Sequence, residues 1–175
     1  YFDRGYKVQI PKITIVGAST SIGSIPLPLK SRFKFVGYLE PYNEDELVNI
    51  AIGIADEQGF QLNKELAKII SKTSRGIPRT IVARTEWIHQ YMVSNNISTI
   101  NENSLIKIIS YQGVDENGLE KHDIDYLKLL YQTRSGLSLN AIANKLQTGP
   151  DNVKNIIEPF LSSLGLIEVA AGRGR

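Results

Sequence analysis

Residues 11–33 read PKITIVGASTSIGSIPLPLKSRF, and the order of features in this stretch predicts the fold of the first part of the chain. The apolar run at 12–16 predicts a buried strand, and a Gly-Ala-Ser-Thr turn follows at 17–20. Prolines and Arg32 then precede a second strand-like run at 33–39. Alternating elements of this kind predict a parallel α/β sheet, in which ligands bind beyond the carboxyl ends of the strands.

Two polar side chains of this stretch are placed where such a sheet binds its ligand. Thr20 follows the carboxyl end of the first strand, and Arg32 comes just before the second. A hydroxyl and a guanidinium in these positions are suited to a phosphate group. The alternative is a capping hydroxyl and a solvent-exposed arginine, and the local pattern leaves both interpretations open.

The composition is that of an ordinary globular chain, with 175 residues, 42% hydrophobic and 22% charged. The absence of cysteine excludes disulfides, thiol catalysis and cysteine metal sites, and two isolated histidines predict no metal site. We see no signal peptide and no apolar run long enough to cross a bilayer, so we expect a cytoplasmic protein without a membrane partner. The net charge of +2 permits nucleic-acid binding. Such binding must come from cations that cluster locally on the surface.

Residues 40–111 have the periodicity of four helices. Asn43 and Glu46 have the spacing of a capping box, and Gly59 is placed to end the first helix. The later helices are expected at 63–72, 78–92 and 102–110. The inward positions expected for the first two helices are Leu47, Ile50, Ala51, Ile54, Leu66, Ile69 and Ile70.

Arg79 is the candidate ligand-binding residue of this helical region. It follows Pro78 at the start of the third helix, where a cation is electrostatically disfavoured. A phosphate partner explains an arginine there, and an ion pair with a nearby Glu or Asp is the alternative. In the same helix, we expect Trp87 to pack in the core or an interface, and His89 to be solvated or hydrogen-bonded.

The remaining sequence predicts a linker at 112–121 and a winged helix at 122–175. The first two helices of this domain are expected at 122–132 and 140–146. The third helix is expected to begin after an N-cap at Asp151 and to end at Gly165. A strand at 166–170 and a basic loop at 171–175 follow. The inward positions expected in the first and third of these helices are Ile124, Leu127, Leu130, Tyr131, Val153, Ile156, Ile157, Phe160, Leu161 and Leu164.

The basic loop is the candidate DNA contact of this domain. The polar face of the third helix is nearly neutral, whereas Arg173 and Arg175 are separated by a glycine that allows close approach to a phosphate backbone. The alternative is a frayed basic terminus.

Five segments in this order resemble the RuvB family of AAA+ ATPases, which are hexameric motors that drive branch migration of Holliday junctions in bacteria. The segments are VGAST…PLPLKSRF, EPYNEDELVNIA, SRGIPR, GVDENGLEKHDIDYL and IEPFLSSLGLIEVAAGRGR, and the resemblance covers roughly residues 8–175. It implies that residues 1–39 end the AAA+ large domain, 40–111 form the helical lid, and 122–175 form a winged-helix domain after the linker.

The family requires a phosphate loop of the form Gly-x-x-x-x-Gly-Lys-Ser/Thr and an acidic strand end for Mg²⁺. The 175 residues contain neither motif. We therefore expect the chain to be the C-terminal part of such a protein, with the nucleotide cradle upstream, and to be inactive as an ATPase by itself. ATP and Mg²⁺ are the cofactors that the resemblance implies for the full-length protein.

The resemblance also implies a role for each candidate residue. Thr20 matches sensor 1, with Ser19 as a possible substitute, and Arg32 matches the arginine finger that acts on the neighbouring subunit. Arg79 matches sensor 2, with Pro78 beside it at the nucleotide. The wing arginines, Arg173 and Arg175, match residues that contact the DNA backbone.

Three positions depart from the family pattern. Lys30 replaces an arginine, and Ala171-Gly172 replaces Thr-Pro in the wing. The helix after Arg79, which is rich in arginine in relatives, here has Thr80, Val82, Trp87, Ile88 and His89. The implied partners are double-stranded DNA at Holliday junctions, a RuvA-type junction-binding protein and five further subunits of a homo-hexamer. The alternatives are another AAA+ protein, such as a clamp loader subunit, and a non-catalytic winged-helix adaptor.

Overall fold

The computed structural model describes residues 11–19, 22–133 and 136–168, which fall into two units, Tyr1–Glu40 and Pro41–Arg175. The described residues form short and long helices in the order 3₁₀ turn Ile22–Ser24, α1 Leu27–Lys30, α2 Glu44–Gln58, α3 Lys64–Thr73, α4 Pro78–Ser94, α5 Glu102–Ser110, α6 Lys121–Gln132, α7 Leu139–Lys145, α8 Pro150–Asn152, a π-helical turn Val153–Ile157, and α9 Glu158–Ser163.

The strands expected at 12–16 and 33–39 are not formed, and none of the described residues lies in a β-strand. A strand is stable only when its backbone groups pair with a neighbouring strand, and the described residues supply no such neighbour. Apart from the half-buried Phe33, the large apolar side chains of both runs are consequently exposed, with Val16 at 89% and Leu39 at 99%. At the other end of the chain, residues 166–168 are also not a strand, and 169–170 lie outside the described residues.

Local capping signals determine where the helices of the second unit begin and end. Asn43 and Glu46 form the expected capping box, in which each side chain accepts a backbone N–H of the other residue, at 2.9 and 2.8 Å. Gly59 follows α2 with φ of +79°, a left-handed conformation that glycine adopts without strain. The side chain of Asn63 accepts the Leu66 N–H at 2.9 Å and caps α3. The predicted capping box and the predicted helix end at Gly59 are confirmed.

Helices α2 to α5 enclose the first core. The helix α2 packs against both α3 and α4, so its buried face is broader than a single stripe. Val48 and Ala55 are fully buried there, whereas the expected Ile50 and Ile54 are only half-buried. The buried members of this core are Leu47, Val48, Ala51, Ala55, Phe60, Leu62, Leu66, Ala67, Ile70, Ile81, Ile88, Met92, Leu105, Ile108, Ile109 and Val114.

Helices α6 to α9 enclose a second, smaller core of Tyr126, Ile142, Ala143, Leu146, Val153, Ile157 and Leu161. The inward face predicted for 122–132 is partly wrong. Tyr131 is 93% exposed, while Asp123 and Tyr126 are buried. The Tyr126 hydroxyl donates to the buried carboxylate of Glu158 at 3.0 Å, so a polar pair lies inside this core.

The third helix of this second core begins differently from the prediction and contains a π-helical turn. Gly149, not Asp151, is its N-cap, because Pro150 occupies the first helical position. The Glu158 N–H donates to the Val153 carbonyl, five residues back, just before Pro159, which has no N–H to continue the ladder. The extra residue in this turn turns Ile156 outward, where it is half-exposed instead of buried.

The helix ends at Gly165, as predicted. Gly165 has φ of +68°, and the following Leu166 N–H donates to the Leu161 carbonyl at 3.0 Å. Among the described residues, no helix is both long and apolar enough to span a membrane.

Candidate functional site

Three of the candidate residues, Thr20, Arg173 and Arg175, lie outside the described residues. Ser19, the possible substitute for Thr20, is described and exposed. The roles expected for the first three therefore stay predictions.

Arg32 follows a short, well-ordered helical turn in the first unit. Pro26 caps α1, and its carbonyl accepts the N–H groups of Leu29 and Lys30 at 2.9 and 3.0 Å. The Arg32 N–H donates to the Leu29 carbonyl at 3.1 Å, which fixes its backbone to this turn. Its side chain is exposed and makes no ion pair or hydrogen bond with any residue that the structure describes. The guanidinium is thus available to another molecule.

Arg79 lies in the first turn of α4, in the second unit. Ile77 is the N-cap, Pro78 occupies the first turn, and no acidic residue is present there. The Arg79 side chain is exposed and has no ion-pair partner within the described ranges, so the ion pair that was the alternative is not found. An unpaired cation at a helix N-terminus whose first turn holds no acidic residue is suited to an anionic partner.

The segment that leads into Arg79 has an unusual backbone. Arg75 has φ of +57° and Gly76 has φ of +67°, so two successive left-handed residues end α3 and turn the chain into α4. A non-glycine residue in this conformation costs about 1–2 kcal/mol and persists only where its surroundings hold it. The side chain of Arg75 supplies that support.

The Arg75 guanidinium joins the four-helix core to the second core. Its Nη2 lies 2.5 Å from Asp123 Oδ2 and 3.3 Å from Glu120 Oε1, and its Nε donates to the Gly118 carbonyl at 3.2 Å. The guanidinium carbon lies 4.2 Å from the centre of the Phe160 ring. We call these five residues the Arg75 clamp.

The ion pair of the Arg75 clamp is removed from solvent. The Arg75 side chain is 11% exposed and that of Asp123 is 1% exposed. Asp123 Oδ2 also accepts the Glu120 N–H at 2.6 Å and so forms part of the capping box of α6. Because a buried charge is costly without its partner, loss of Arg75 would leave the Asp123 carboxylate buried at the start of α6 without its cation.

The Arg75 clamp is not visible in the sequence pattern. Arg75 lies between the helices expected at 63–72 and 78–92, and Asp123 is not among the inward positions expected for 122–132. The available signal was local: Asp123 is three residues after Glu120, at the position where a carboxylate caps a helix. Its partner 48 residues earlier in the sequence is not visible from periodicity.

A second buried arginine stabilises the same region. Arg84 Nη1 donates to the Thr73 carbonyl and, at 3.3 Å, to Ser74 Oγ, while its Nε donates to Gln112 Oε1 at 3.0 Å. Burial lowers the pKa of Arg84, Glu120 acts to raise it, and the nearby Arg75 lowers it further. Arg84 binds the carbonyl end of α3, where a cation is favoured.

Residues 112–121, which the sequence predicts as a linker, form an ordered turn. Asp115 Oδ1 accepts the N–H groups of Asn117 and Leu119, both at 2.8 Å. Val114 is buried in the first core. Gly118 has φ of +83° and packs directly on the end of α3, so a Cβ there would lie 3.2–3.3 Å from backbone atoms of Lys72 and Thr73.

Replacing Gly118 with alanine is therefore expected to destabilise the chain. The left-handed conformation and the backbone contact together predict a loss of about 1–3 kcal/mol in the free energy of unfolding, measured by urea denaturation. The matched control is Gly113→Ala, since Gly113 has φ of +74° but open space around its Cβ position. The control is expected to show only the conformational cost. Equal losses in both variants would contradict the close approach at Gly118.

Trp87 and His89 are both half-buried and in aromatic contact. Trp87 packs against the first core, as expected, and its ring lies 5.7 Å from that of Tyr91. The His89 ring stacks on that of Phe60 at a centroid distance of 5.4 Å, so this half-buried side chain contributes to packing, which the sequence did not predict. In the described part of the chain, no cluster of three or more His, Asp or Glu side chains is arranged to hold a metal ion.

Comparison with known proteins gives consistent results. The RuvB C-terminal winged helix domain family matches residues 116–175. The chain is 35% identical over 170 residues to the Holliday junction branch migration complex subunit RuvB of Campylobacter hominis, covering 97% of this chain and 50% of that protein. It is 33% identical to the protein of the same name from Campylobacter fetus, covering 97% of this chain and 49% of that protein.

The solved structure of the Thermotoga maritima RuvB Holliday junction branch migration motor is also similar. It shares 29% sequence identity, with a TM-score of 0.73, over 87% of this chain and 52% of that chain. The chain therefore spans about half the length of the relatives that it matches.

Proposed function

The chain belongs to the RuvB family, and from this premise we propose that it is the C-terminal part of an ATP-driven motor that moves Holliday junctions in recombination and DNA repair. The observation that carries this proposal is the similarity over 97% of the chain to proteins named for Holliday junction branch migration. The match of residues 116–175 to the winged helix of the same family supports it independently.

The proposed layout places the end of an AAA+ large domain at 1–39, the lid at 40–111 and the winged helix at 122–175, after a connection at 112–121. The boundary between the two units at residue 40 supports the first division, and the two separate hydrophobic cores support the last. The exposed apolar runs at 12–16 and 33–39 suit strands that are completed by the rest of a sheet.

The proposed nucleotide site is shared between neighbouring subunits of a homo-hexamer. Arg32 acts on the γ-phosphate bound by the adjacent subunit, while Arg79, beside Pro78, and Thr20 act on the ATP and Mg²⁺ of their own subunit. The exposed and unpaired guanidiniums of Arg32 and Arg79 support these roles, because an arginine that serves phosphoryl transfer must be free to pair with the phosphate.

Arg173 and Arg175 are proposed to bind the phosphate backbone of duplex DNA. Backbone contacts are independent of sequence, which is what a motor that passes over any sequence requires. A RuvA-type protein that recognises the junction is the proposed partner of the ring.

An assay of ATP hydrolysis tests the proposal that the 175 residues contribute to nucleotide hydrolysis but need a phosphate-loop domain for it. The purified 175-residue polypeptide is expected to show no turnover above background, since its sequence has no phosphate loop. A longer protein that joins this chain to a phosphate-loop domain is expected to hydrolyse ATP in an assay of released phosphate, and faster with duplex DNA. Hydrolysis by the polypeptide alone, free of contaminating ATPase, would refute the assignment. DNA binding without hydrolysis by the longer protein would favour a non-catalytic adaptor.

A further inference from the structure

We propose that Arg75 is a positioning residue that couples the loop carrying Arg79 to the winged-helix domain, so that the state of the nucleotide is transmitted to the DNA-binding part through the Arg75 clamp. The inference rests on the proposed function, because it takes Arg79 to contact the nucleotide. It assigns to Arg75 a role distinct from binding ATP or DNA.

The two arginines lie on one short connection, residues 74–79, which begins after α3, ends in the first turn of α4 and is called here the Arg79 loop. Their side chains serve opposite sides of it. Arg75 is buried against the second core, whereas Arg79, four residues later, is exposed and unpaired among the described residues. The segment between them is stiff. The Ile77 N–H donates to the Ser74 carbonyl at 3.1 Å, and Pro78 fixes its own φ at the first turn of α4. A displacement at Arg79 therefore moves Arg75 as well.

The attachment of Arg75 to the winged-helix domain fixes orientation as well as distance. Its guanidinium meets Asp123 at the start of α6, the Phe160 ring on α9 and the Gly118 carbonyl in the connecting turn. A planar group held at its edge by two acceptors and at its face by a ring cannot rotate freely. A rotation of the loop is thus passed on to both α6 and α9.

The position of Arg75 favours a role in transmitting movement from the Arg79 loop over a role in merely holding the two cores together. A second cross-contact, from Lys72 Nζ to Asn117 Oδ1 at 3.0 Å, lies on the exposed surface and outside the Arg79 loop. This hydrogen bond joins α3 to the connecting turn at 112–121 and not to α6 or α9, so it is a control for a nearby contact that does not reach the winged-helix domain. If Arg75 only stabilised this part of the chain locally, removing either contact would have a similar effect on the motor.

The test uses the ATP-hydrolysing protein that contains this chain, with the variants Arg75→Ala, Arg75→Lys, Lys72→Ala and Arg79→Ala. ATP hydrolysis and migration of a synthetic four-way junction are measured together. For Arg75→Ala, we expect hydrolysis to stay within about twofold while migration per ATP falls about 10- to 100-fold, the cost of misplacing a group that acts at a distance. Arg75→Lys is expected to show part of this loss, because an ammonium pairs with Asp123 but lacks the fork and the plane. Lys72→Ala is expected to change neither quantity.

Two results would overturn the coupling role. One is a proportional fall of hydrolysis and migration in Arg75→Ala, which would place Arg75 in the ATPase step itself. The other is unchanged migration per ATP. Failure of the proposed function is seen separately, since the unmodified protein would then move no junction or Arg79→Ala would hydrolyse ATP normally.

A distance measurement on the 175-residue chain tests the clamp independently of ATP and DNA. The chain has no cysteine, so spin labels attach only to cysteines introduced at exposed positions, Gln90 on α4 and Asn144 on α7. We expect one narrow distance in the parent and in Lys72→Ala, and a broad distribution in Arg75→Ala, with helix content by circular dichroism confirming that each variant is folded. A distribution that stays narrow in Arg75→Ala would refute the clamp.

Discussion

Replacing Arg32 with alanine is expected to lower the rate of ATP hydrolysis by the assembled ring by about three to five orders of magnitude. The physical reason is that, in the role proposed for it, Arg32 stabilises the charge that develops on the phosphoryl group transferred in the neighbouring subunit. The side chain is exposed, and its backbone is held by the turn of α1, so the substitution removes the guanidinium without disturbing a core. Binding of ATP is expected to persist, as measured with a fluorescent analogue.

Two further variants separate this role from general charge effects. Lys34→Ala removes an exposed cation two residues away and is expected to leave hydrolysis unchanged. Arg32→Lys keeps the charge but loses the planar fork, and we expect it to recover only a small part of the rate. Normal turnover by Arg32→Ala would mean that the arginine finger is another residue.

Replacing Asp123 with asparagine is expected to reduce the free energy of unfolding by about 3–5 kcal/mol. Asparagine preserves the shape of the side chain and an oxygen that can accept the Glu120 N–H, so the change isolates the negative charge. Arg75, only 11% exposed, then lacks its main partner, and the more exposed Glu120 at 3.3 Å replaces it poorly. Urea denaturation followed by circular dichroism measures the loss.

The matched control is Asp45→Asn, which removes a carboxylate paired with Lys64 at 3.0 Å. Both of those side chains are largely exposed, and we expect no measurable change because solvent screens such a pair. If Asp123→Asn unfolded at the same urea concentration as the parent, the Arg75 clamp would not be the stabilising contact between the two cores.

The helices of the second unit were predictable because their signals are local. The capping box of Asn43 and Glu46 and the left-handed glycines Gly59 and Gly165 each specify a helix end from within a few residues. Apolar periodicity then placed the long helices close to their observed bounds.

The features that were missed depend on distant residues or on an absent neighbour. Asp123 and Tyr126 are buried because Arg75 and Glu158 are there to pair with them, and no local pattern shows this. The π-helical turn follows from Pro159, which breaks the ladder that a simple period of 3.6 assumes. The strand pattern of residues 12–16 produces a strand only when neighbouring strands of a sheet are present to pair with its backbone.

For the candidate site, residue type and position pointed to Arg32 and Arg79, whose roles stay predictions. Both side chains are exposed and unpaired in the described residues. Arg75 belongs to no motif that periodicity can detect. Its proposed role depends on contacts with Gly118, Asp123 and Phe160, which are distant from it in the sequence.

Migration of a synthetic four-way junction by the longer protein that contains this chain tests the central claim most directly. Fluorescently labelled strands report conversion of the junction to two duplexes on a gel. The account predicts conversion that requires ATP and Mg²⁺, is abolished by Arg32→Ala, and does not depend on the sequence of the arms. Conversion without ATP, or none in a protein that hydrolyses ATP and assembles into a ring on DNA with its junction-binding partner, would contradict it.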